Sequence, residues 1–150
     1  SDVYKRQIVH LNTYEFKVLT GCESVKEGFR NLVGVPKLLT VTRGKEGVVA
    51  LYHSEHVIVQ PPFKIVAKDP TGAGDAFCAG LLTALKLMNI SIDDLSVKDI
   101  VNILEYAQAA GALAVSAPGA TTAVDWNSLI NIVKRQGGIV SGNTRIFKLM

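Results

Sequence analysis

The sequence predicts an α/β fold around a mostly parallel central sheet. Three observations carry that prediction. Short β-branched runs alternate with apolar helical periodicities, Gly and Pro fall at the junctions without a repeat period, and 48% of the 150 residues are hydrophobic against 19% charged. A chain this apolar buries enough surface to offset its ordering entropy, which excludes disorder. The 13 Gly and 5 Pro follow no period, which excludes collagen-like and low-complexity classes. At this length roughly 70% of the unfolded chain's surface can be buried in one core.

Residues 1–7 are polar, follow no pattern and are expected to be a non-native or disordered lead-in. Ile8 to Leu11 reads as a strand ending at Asn12, and Tyr14 to Leu19 as a short helical turn closed by Gly21. Ser24, with Glu27 three residues on, forms a capping box that opens a helix with Phe29, Leu32 and Val33 on one face, stopped at Gly34 and Pro36. Lys37–Thr42, Gly47–Tyr52 and His56–Val59 are strands separated by the turns 43–46 and 53–55, the last two forming a hairpin that ends at Pro61 and Pro62. After an extended piece, Ile65–Lys68, the turn Asp69 to Asp75 leads into a helix from Ala73 to Leu87 with apolar Phe77, Leu81, Leu82 and Leu85. A long helix follows over Val97–Ala114, then a shorter one from Trp126, which is expected to pack, to about Gln136 after an Asp125 cap; residues 137–150 are an unassigned tail.

A net charge of +3 without blocks of like charge gives no nucleic-acid footprint. Cys22 and Cys78 lie in no CxxC or Cys/His cluster and read as reduced core thiols. The longest apolar stretch, Ala76 to Leu85, falls short of the roughly 18 residues a membrane span needs, and the first residues lack a signal-peptide profile. The expectation is a soluble, cytoplasmic protein without membrane or nucleic-acid partners. His10, His53 and His56 have no metal-ligand spacing and are assigned no chemistry; Lys134 and Arg135 read as a solvated helix end.

The chemistry concentrates between the extended piece and its helix. Gly72, Ala73 and Gly74 remove side-chain bulk where a helix begins, so successive backbone N–H groups can point at an anion with the helix dipole behind them. This is not a dinucleotide fingerprint, because Phe77 stands where GxGxxG requires glycine, and it is not a Walker A loop, because the turn holds no lysine. Asp75 adds an acid beside the turn. Phosphoryl transfer to a hydroxyl needs such an acceptor for the attacking oxygen's proton next to donors for the transferred group; the plainer alternative is an acid that only complements the helix dipole.

The run Asp69-Pro-Thr-Gly-Ala-Gly-Asp75-Ala-Phe-Cys-Ala-Gly-Leu-Leu82 resembles the C-terminal signature of the ribokinase-like (PfkB) carbohydrate kinase family. Asn12-Thr-Tyr-Glu15 is similar to the family's NxxE motif and Thr42-Arg-Gly-Lys-Glu-Gly47 to its nucleotide-phosphate loop. The segments Ala107 to Val115 and Pro118-Gly-Ala120 are similar to its adenine-side helix and the loop after it. The resemblance covers residues 8–136 and implies a three-layer α/β/α fold and an ATP-dependent kinase that phosphorylates a hydroxyl of a sugar or sugar derivative. It implies Asp75 as catalytic base, Gly72, Ala73 and Gly74 as anion hole, Asn12, Thr42, Gly44 and Gly47 along the nucleotide, and Gln108 near the adenine. Glu15 is implied to organise Mg²⁺ through water, and Asp69, Thr71 and carbonyls of Ala114, Ala117 and Gly119 to hold a monovalent cation, K⁺; Ala123 stands where a hydroxyl residue is sometimes found. The same machinery serves nucleoside kinases of the family, and a non-catalytic nucleotide-binding module is the alternative from another class. The motifs begin at a strand that lies mid-chain in the resembling kinases, and the family's early Gly-Gly motif has no counterpart here. The expectation is therefore the C-terminal half of a kinase, inactive alone, without the acceptor-binding half and the lid strands through which the full-length protein would form a homodimer.

Overall fold

A computed structural model describes residues 7–32, 36–69, 71–116 and 125–149. The chain divides into two units, Ser1–Val59 with Arg145–Met150, and Gln60–Thr144.

The first unit starts with β1 (Ile8–Asn12), α1 (Thr13–Thr20) and α2 (Val25–Asn31). Asn12 caps α1 reciprocally, as detailed below, and Gly21 closes it in the left-handed conformation (φ 69°), its N–H donating to the Lys17 carbonyl at 2.8 Å. Ser24 caps α2 by accepting from the Glu27 N–H at 3.4 Å, which is the forward half of the expected capping box. Val33 and Gly34 of the expected helix stop lie outside the described residues. The remaining strands are β2 (Leu38–Thr42), β3 (Val48–Tyr52) and β4 (His56–Gln60), with a 3-10 turn at Gly44–Glu46, and β5 (Arg145–Lys148) returns from the end of the chain.

These five strands form one sheet in the order β1-β2-β3-β4-β5. The α/β class holds, but the expected mostly parallel sheet is a mixed one: β1 pairs with β2 in parallel, β2 with β3 and β4 with β5 antiparallel. Connection length explains the difference. Residues 43–47 and 53–55 are too short to carry a chain back across the sheet for a parallel pairing. The helix α1 to α2 segment is long enough, and it joins the parallel pair. Alternate residues Leu39 and Val41, Val49 and Leu51, and Val57 pack with Phe16 of α1 and Phe29 of α2. The two rings meet edge to face at 5.7 Å, a geometry that contributes about 0.5–1.5 kcal/mol beyond area burial.

The second unit is helical: α3 (Ala73–Met88), a 3-10 turn at Ile92–Asp94, α4 (Val97–Ser116) and α5 (Trp126–Gly142). Ser96 and Asp99 cap the start of α4 reciprocally, each backbone N–H donating to the other's side chain at 3.0 Å. The extended piece 61–69 pairs with no strand in this unit; helices hold it instead. The Lys64 N–H and C=O both bond the Gln136 amide at 2.8 Å, and the Lys68 and Asp69 N–H groups donate to the Val115 carbonyl at 2.6 and 3.0 Å. Phe63 of this piece enters the core with Ala109, Ala110, Leu129, Ile132 and Val140.

Two features departed from local reading. The last helix was expected to stop near Gln136 but runs through Gly137 and Gly138 to Gly142. Gly137 is there because Glu105 of α4 occupies the space: an added Cβ would lie 2.0 Å from its Oε1. Glu105 is 8% exposed, the Ser141 hydroxyl donates to its Oε2, and burial pushes its carboxyl above the ordinary glutamate range. Residues 145–148 of the expected uncertain tail are β5. Both cysteines are half-buried and outside any disulfide, and among the described residues no helix is long and apolar enough to cross a membrane.

α3 and α4 approach through small residues. A Cβ on Gly80 would stand 2.8 Å from the Ala110 Cβ and 3.1 Å from the Ala107 Cα, whereas one on Gly138 would meet nothing within 4 Å. Gly80→Ala should therefore destabilise the chain by about 1–3 kcal/mol, and Gly138→Ala should be neutral or stabilise by up to about 1 kcal/mol, as read by urea unfolding. Glu105 makes a second prediction. Its folded form holds a proton more tightly than the unfolded chain, so stability should fall as pH rises from the ordinary carboxylate range, about 4.3, through the raised value. Melting temperatures of Glu105→Gln across pH 4–8 should lack that component.

Candidate functional site

In the first unit the functional candidates gather at the C-terminal ends of the parallel strands. Asn12 and Thr42 end β1 and β2 and are register partners. Open α/β sheets place ligands outside the carboxyl ends of such strands. The Asn12 side chain accepts from the Glu15 N–H at 2.8 Å, while Glu15 Oε1 accepts from the Asn12 N–H at 2.9 Å. The NxxE motif is thus a reciprocal helix cap, and both side chains are exposed at the helix entrance. The arrangement engages one Glu15 oxygen, Oε1. Glu15 is an exposed carboxylate, a hard oxygen donor of the kind that Mg²⁺ takes together with retained waters.

Beyond Thr42 the chain turns tightly. The Arg43 N–H donates to the Gly47 carbonyl at 2.8 Å and the Gly47 N–H to the Gly44 carbonyl at 3.2 Å. Gly44 (φ 56°) and Gly47 (φ 90°, ψ −138°) hold conformations that a side chain would strain, and the space beside Gly44 is open. His10, to which the sequence assigned no chemistry, reaches the Thr42 hydroxyl with Nε2 at 3.1 Å. The available signal was its parity: two residues before Asn12, it shares that residue's face of β1.

In the second unit, Gly72 caps α3 in the left-handed conformation (φ 85°, ψ 0°) and brings no capping side chain. The first helical bond runs from the Ala76 N–H to the Gly72 carbonyl at 2.9 Å, so the N–H groups of Ala73, Gly74 and Asp75 have no partner within the helix. Gly111 of α4 lets this end come close: its added Cβ would lie 3.3 Å from the Ala73 carbonyl oxygen. Asp75 is exposed in the first turn and lines one end of a 1040 Å³ groove that runs along α3 past Gly80 to Leu87. Trp126, expected to pack, is 49% exposed and stands in its wall.

Asp69 Oδ1 accepts from the Thr71 N–H at 3.0 Å; this bond first, and the Thr71 hydroxyl second, hold its carboxyl below the ordinary aspartate range. The bonds from Lys68 and Asp69 to the Val115 carbonyl bring that carboxylate segment to the end of α4, next to Ala114. A carboxylate and backbone carbonyls are hard oxygen donors of the kind a hard cation takes, and here the Asp69 backbone, not its carboxylate, is what bonds the Val115 carbonyl. Ala117 and Gly119, the other expected members, lie outside the described residues. Gln108 faces inward: its Nε2 donates to Gln60 Oε1 at 2.8 Å and the Pro61 carbonyl at 2.9 Å, and Gln60 in turn donates to the Val101 carbonyl at 3.0 Å.

Residues 3–127 match the model of the pfkB family carbohydrate kinases. The chain is 37% identical over 122 residues to a fructokinase of Escherichia coli, covering 78% of this chain and 38% of that protein. Among solved structures it is similar to the fructokinase from Vibrio cholerae O395 in fructose-, ADP- and calcium-bound form, with 28% identity, a TM-score of 0.76, and coverage of 87% of this chain and 42% of that one. It is also similar to aminoimidazole riboside kinase from Salmonella enterica complexed with aminoimidazole riboside and an ATP analog, with 26% identity, a TM-score of 0.70, and coverage of 85% and 42%. The chain thus spans about two fifths of the length of these relatives. With the glycine-capped helix start, the acid in its first turn and the strand-end cap all lying inside the matched segment, the chain belongs to the pfkB family of carbohydrate kinases.

Proposed function

We propose that residues 8–136 form the nucleotide-binding and phosphoryl-transferring part of a kinase that moves the γ-phosphoryl group of ATP to a hydroxyl of a sugar or sugar derivative. The observation that carries this reading is the start of α3. Three N–H groups without intrahelical partners open from a left-handed glycine, and Asp75 stands beside them. The N–H groups of Ala73, Gly74 and Asp75 hold the transferring group, whose charge the helix dipole complements. Asp75 accepts the proton of the attacking hydroxyl as the new oxygen–phosphorus bond forms. The bond from the γ-phosphorus to its bridging oxygen breaks, and ADP leaves with that electron pair.

Asn12, Thr42, Gly44 and Gly47 line the nucleotide phosphates and ribose, where glycine lets the backbone come close. Gln108 has both amide hydrogens engaged, so its carbonyl oxygen is the atom left to accept from an adenine amino group. Glu15 would hold hydrated Mg²⁺, which supplies charge neutralisation on the polyphosphate. Asp69, Thr71 and Ala114, with Ala117 and Gly119, would hold a monovalent cation, which supplies positive potential beside the anion turn. The similarity to a fructose-bound relative makes a ketohexose the first acceptor to test, and the similarity to a riboside kinase makes a nucleoside the second.

Asp75→Asn should lower turnover by about 10²–10⁴-fold while ATP affinity changes by less than about threefold, checked by coupled ADP release and calorimetry in the polypeptide that contains this chain with its acceptor-binding part. Undiminished turnover removes Asp75 from the reaction. ATP binding without turnover on any sugar or nucleoside favours a nucleotide-binding module.

A further inference from the structure

We propose that Gln60 is a positioning residue for base selection: by locking the Gln108 amide in one orientation, it makes the site take a purine with an amino group at its six-position and refuse one with a carbonyl there. This rests on the nucleotide reading above and goes beyond it by stating which triphosphates the chain discriminates. Gln60 is the last residue of β4 and is 0% exposed. A buried amide is costly unless both its ends are bonded. Here both are: Nε2 donates to the Val101 carbonyl of α4 at 3.0 Å, and Oε1 accepts from Gln108 Nε2 at 2.8 Å.

Two main-chain carbonyls decide which way round the two amides sit. A carbonyl only accepts, so Gln60 turns its NH₂ to Val101 and its oxygen to Gln108. The Pro61 carbonyl, 2.9 Å from Gln108 Nε2, demands the second hydrogen of the same group. Both Gln108 amide hydrogens are then spent, and Oε1 is its remaining hydrogen-bonding atom. A free glutamine reads either kind of base, because a half-turn about its last bond exchanges oxygen for NH₂. In this pair the half-turn would set the Gln108 oxygen against Gln60 Oε1 and the Pro61 carbonyl, three acceptors with no hydrogen between them. Adenine presents an amino donor where guanine presents a carbonyl acceptor, so a fixed oxygen bonds the first and repels the second. The place suits a base. Gln108 is the single polar side chain from Ala107 to Val115. It lies three residues before Gly111, about 4.5 Å along α4 from the point where Gly111 meets the Ala73 carbonyl, so it is within a nucleotide's length of the α3 start.

The test titrates the 150-residue chain calorimetrically, with Mg²⁺ present, against ATP and against inosine triphosphate, in which a carbonyl replaces the six-amino group. Melting temperatures accompany each variant. The unmodified chain should bind ATP at least about tenfold more tightly than inosine triphosphate, the worth of one hydrogen bond and one repulsion; equal affinities overturn the proposal before any substitution is made. Gln60→Met keeps the length of the side chain and removes both bonding ends, and should cut the preference to below about threefold. In a Gln108→Met background the same change should leave the ratio where it is, because Gln60 acts through Gln108. A Gln60 that only supports the fold would weaken both triphosphates equally and keep the ratio, which overturns the proposal. If Gln60→Met does not fold, Gln108→Met decides: a preference lost supports the lock, and a preference retained overturns it. If the unmodified chain binds neither triphosphate, the nucleotide reading itself falls and takes the role of Gln60 with it.

Discussion

The close approach of α3 and α4 is the constraint on which the second unit depends. A helix is a stiff rod, so fixing it against a neighbour at two points fixes where its first turn lies. Those points are Gly80, against Ala107 and Ala110, and Gly111, against the Ala73 carbonyl. The second contact falls at the turn that carries Asp75. Catalytic geometry tolerates little error, and a displacement of about 1 Å can cost on the order of a hundredfold in rate. In the proposed reading the small residues at these crossings set where Asp75 stands through distance alone.

The two units position their groups in different ways. In the first, the candidate side chains are also structural: Asn12 and Glu15 cap α1 with the same atoms that face the helix entrance, and Thr42 is bonded to His10. Loss of any of them disturbs the local fold as well as whatever it binds. In the second unit the groups proposed to hold an anion are backbone N–H groups, which substitution cannot delete. Their orientation rests on the left-handed Gly72 and on the helix behind it.

Features encoded by neighbours in sequence were legible. The caps at Gly21, Ser24 and Asp125 and the helix start at Ala73 after the small-residue turn depend on a few adjacent residues, and each stands where the pattern put it. Features set by distant contacts were not. Gly137 reads locally as a helix stop, but the Glu105 carboxyl packs into the space that its missing side chain leaves. The antiparallel direction of β3 against β2 followed from connection length, which interleaving of helices and strands does not reveal, whereas the hairpin after it was legible from its short turn. Gln108 looks like an isolated polar residue on an Ala-rich face, and only the approach of Gln60 and Pro61 shows where its amide hydrogens go. β5 escaped notice because adjacent Ile146 and Phe147 break the alternation by which a half-buried strand is recognised.

That last strand has a consequence for how the chain behaves in a crowded solution. Among the described residues β5 ends the sheet order, and its Ile146 and Phe147 are 48% and 44% exposed, so its outer row of backbone groups lies beside two exposed apolar side chains. Such an edge is a template for self-association. Its brevity, four residues, limits the ladder a second strand could form. Arg145 and Lys148 flank the apolar pair with positive charge, so two copies meeting edge to edge would bring like charges together. Lys148 also reaches Glu55 at 3.4 Å, and the Leu149 N–H donates to the Glu55 carbonyl at 2.7 Å, which ties the strand end to the adjacent turn. The charges at both ends of β5 thus disfavour the pairing of two copies along this strand.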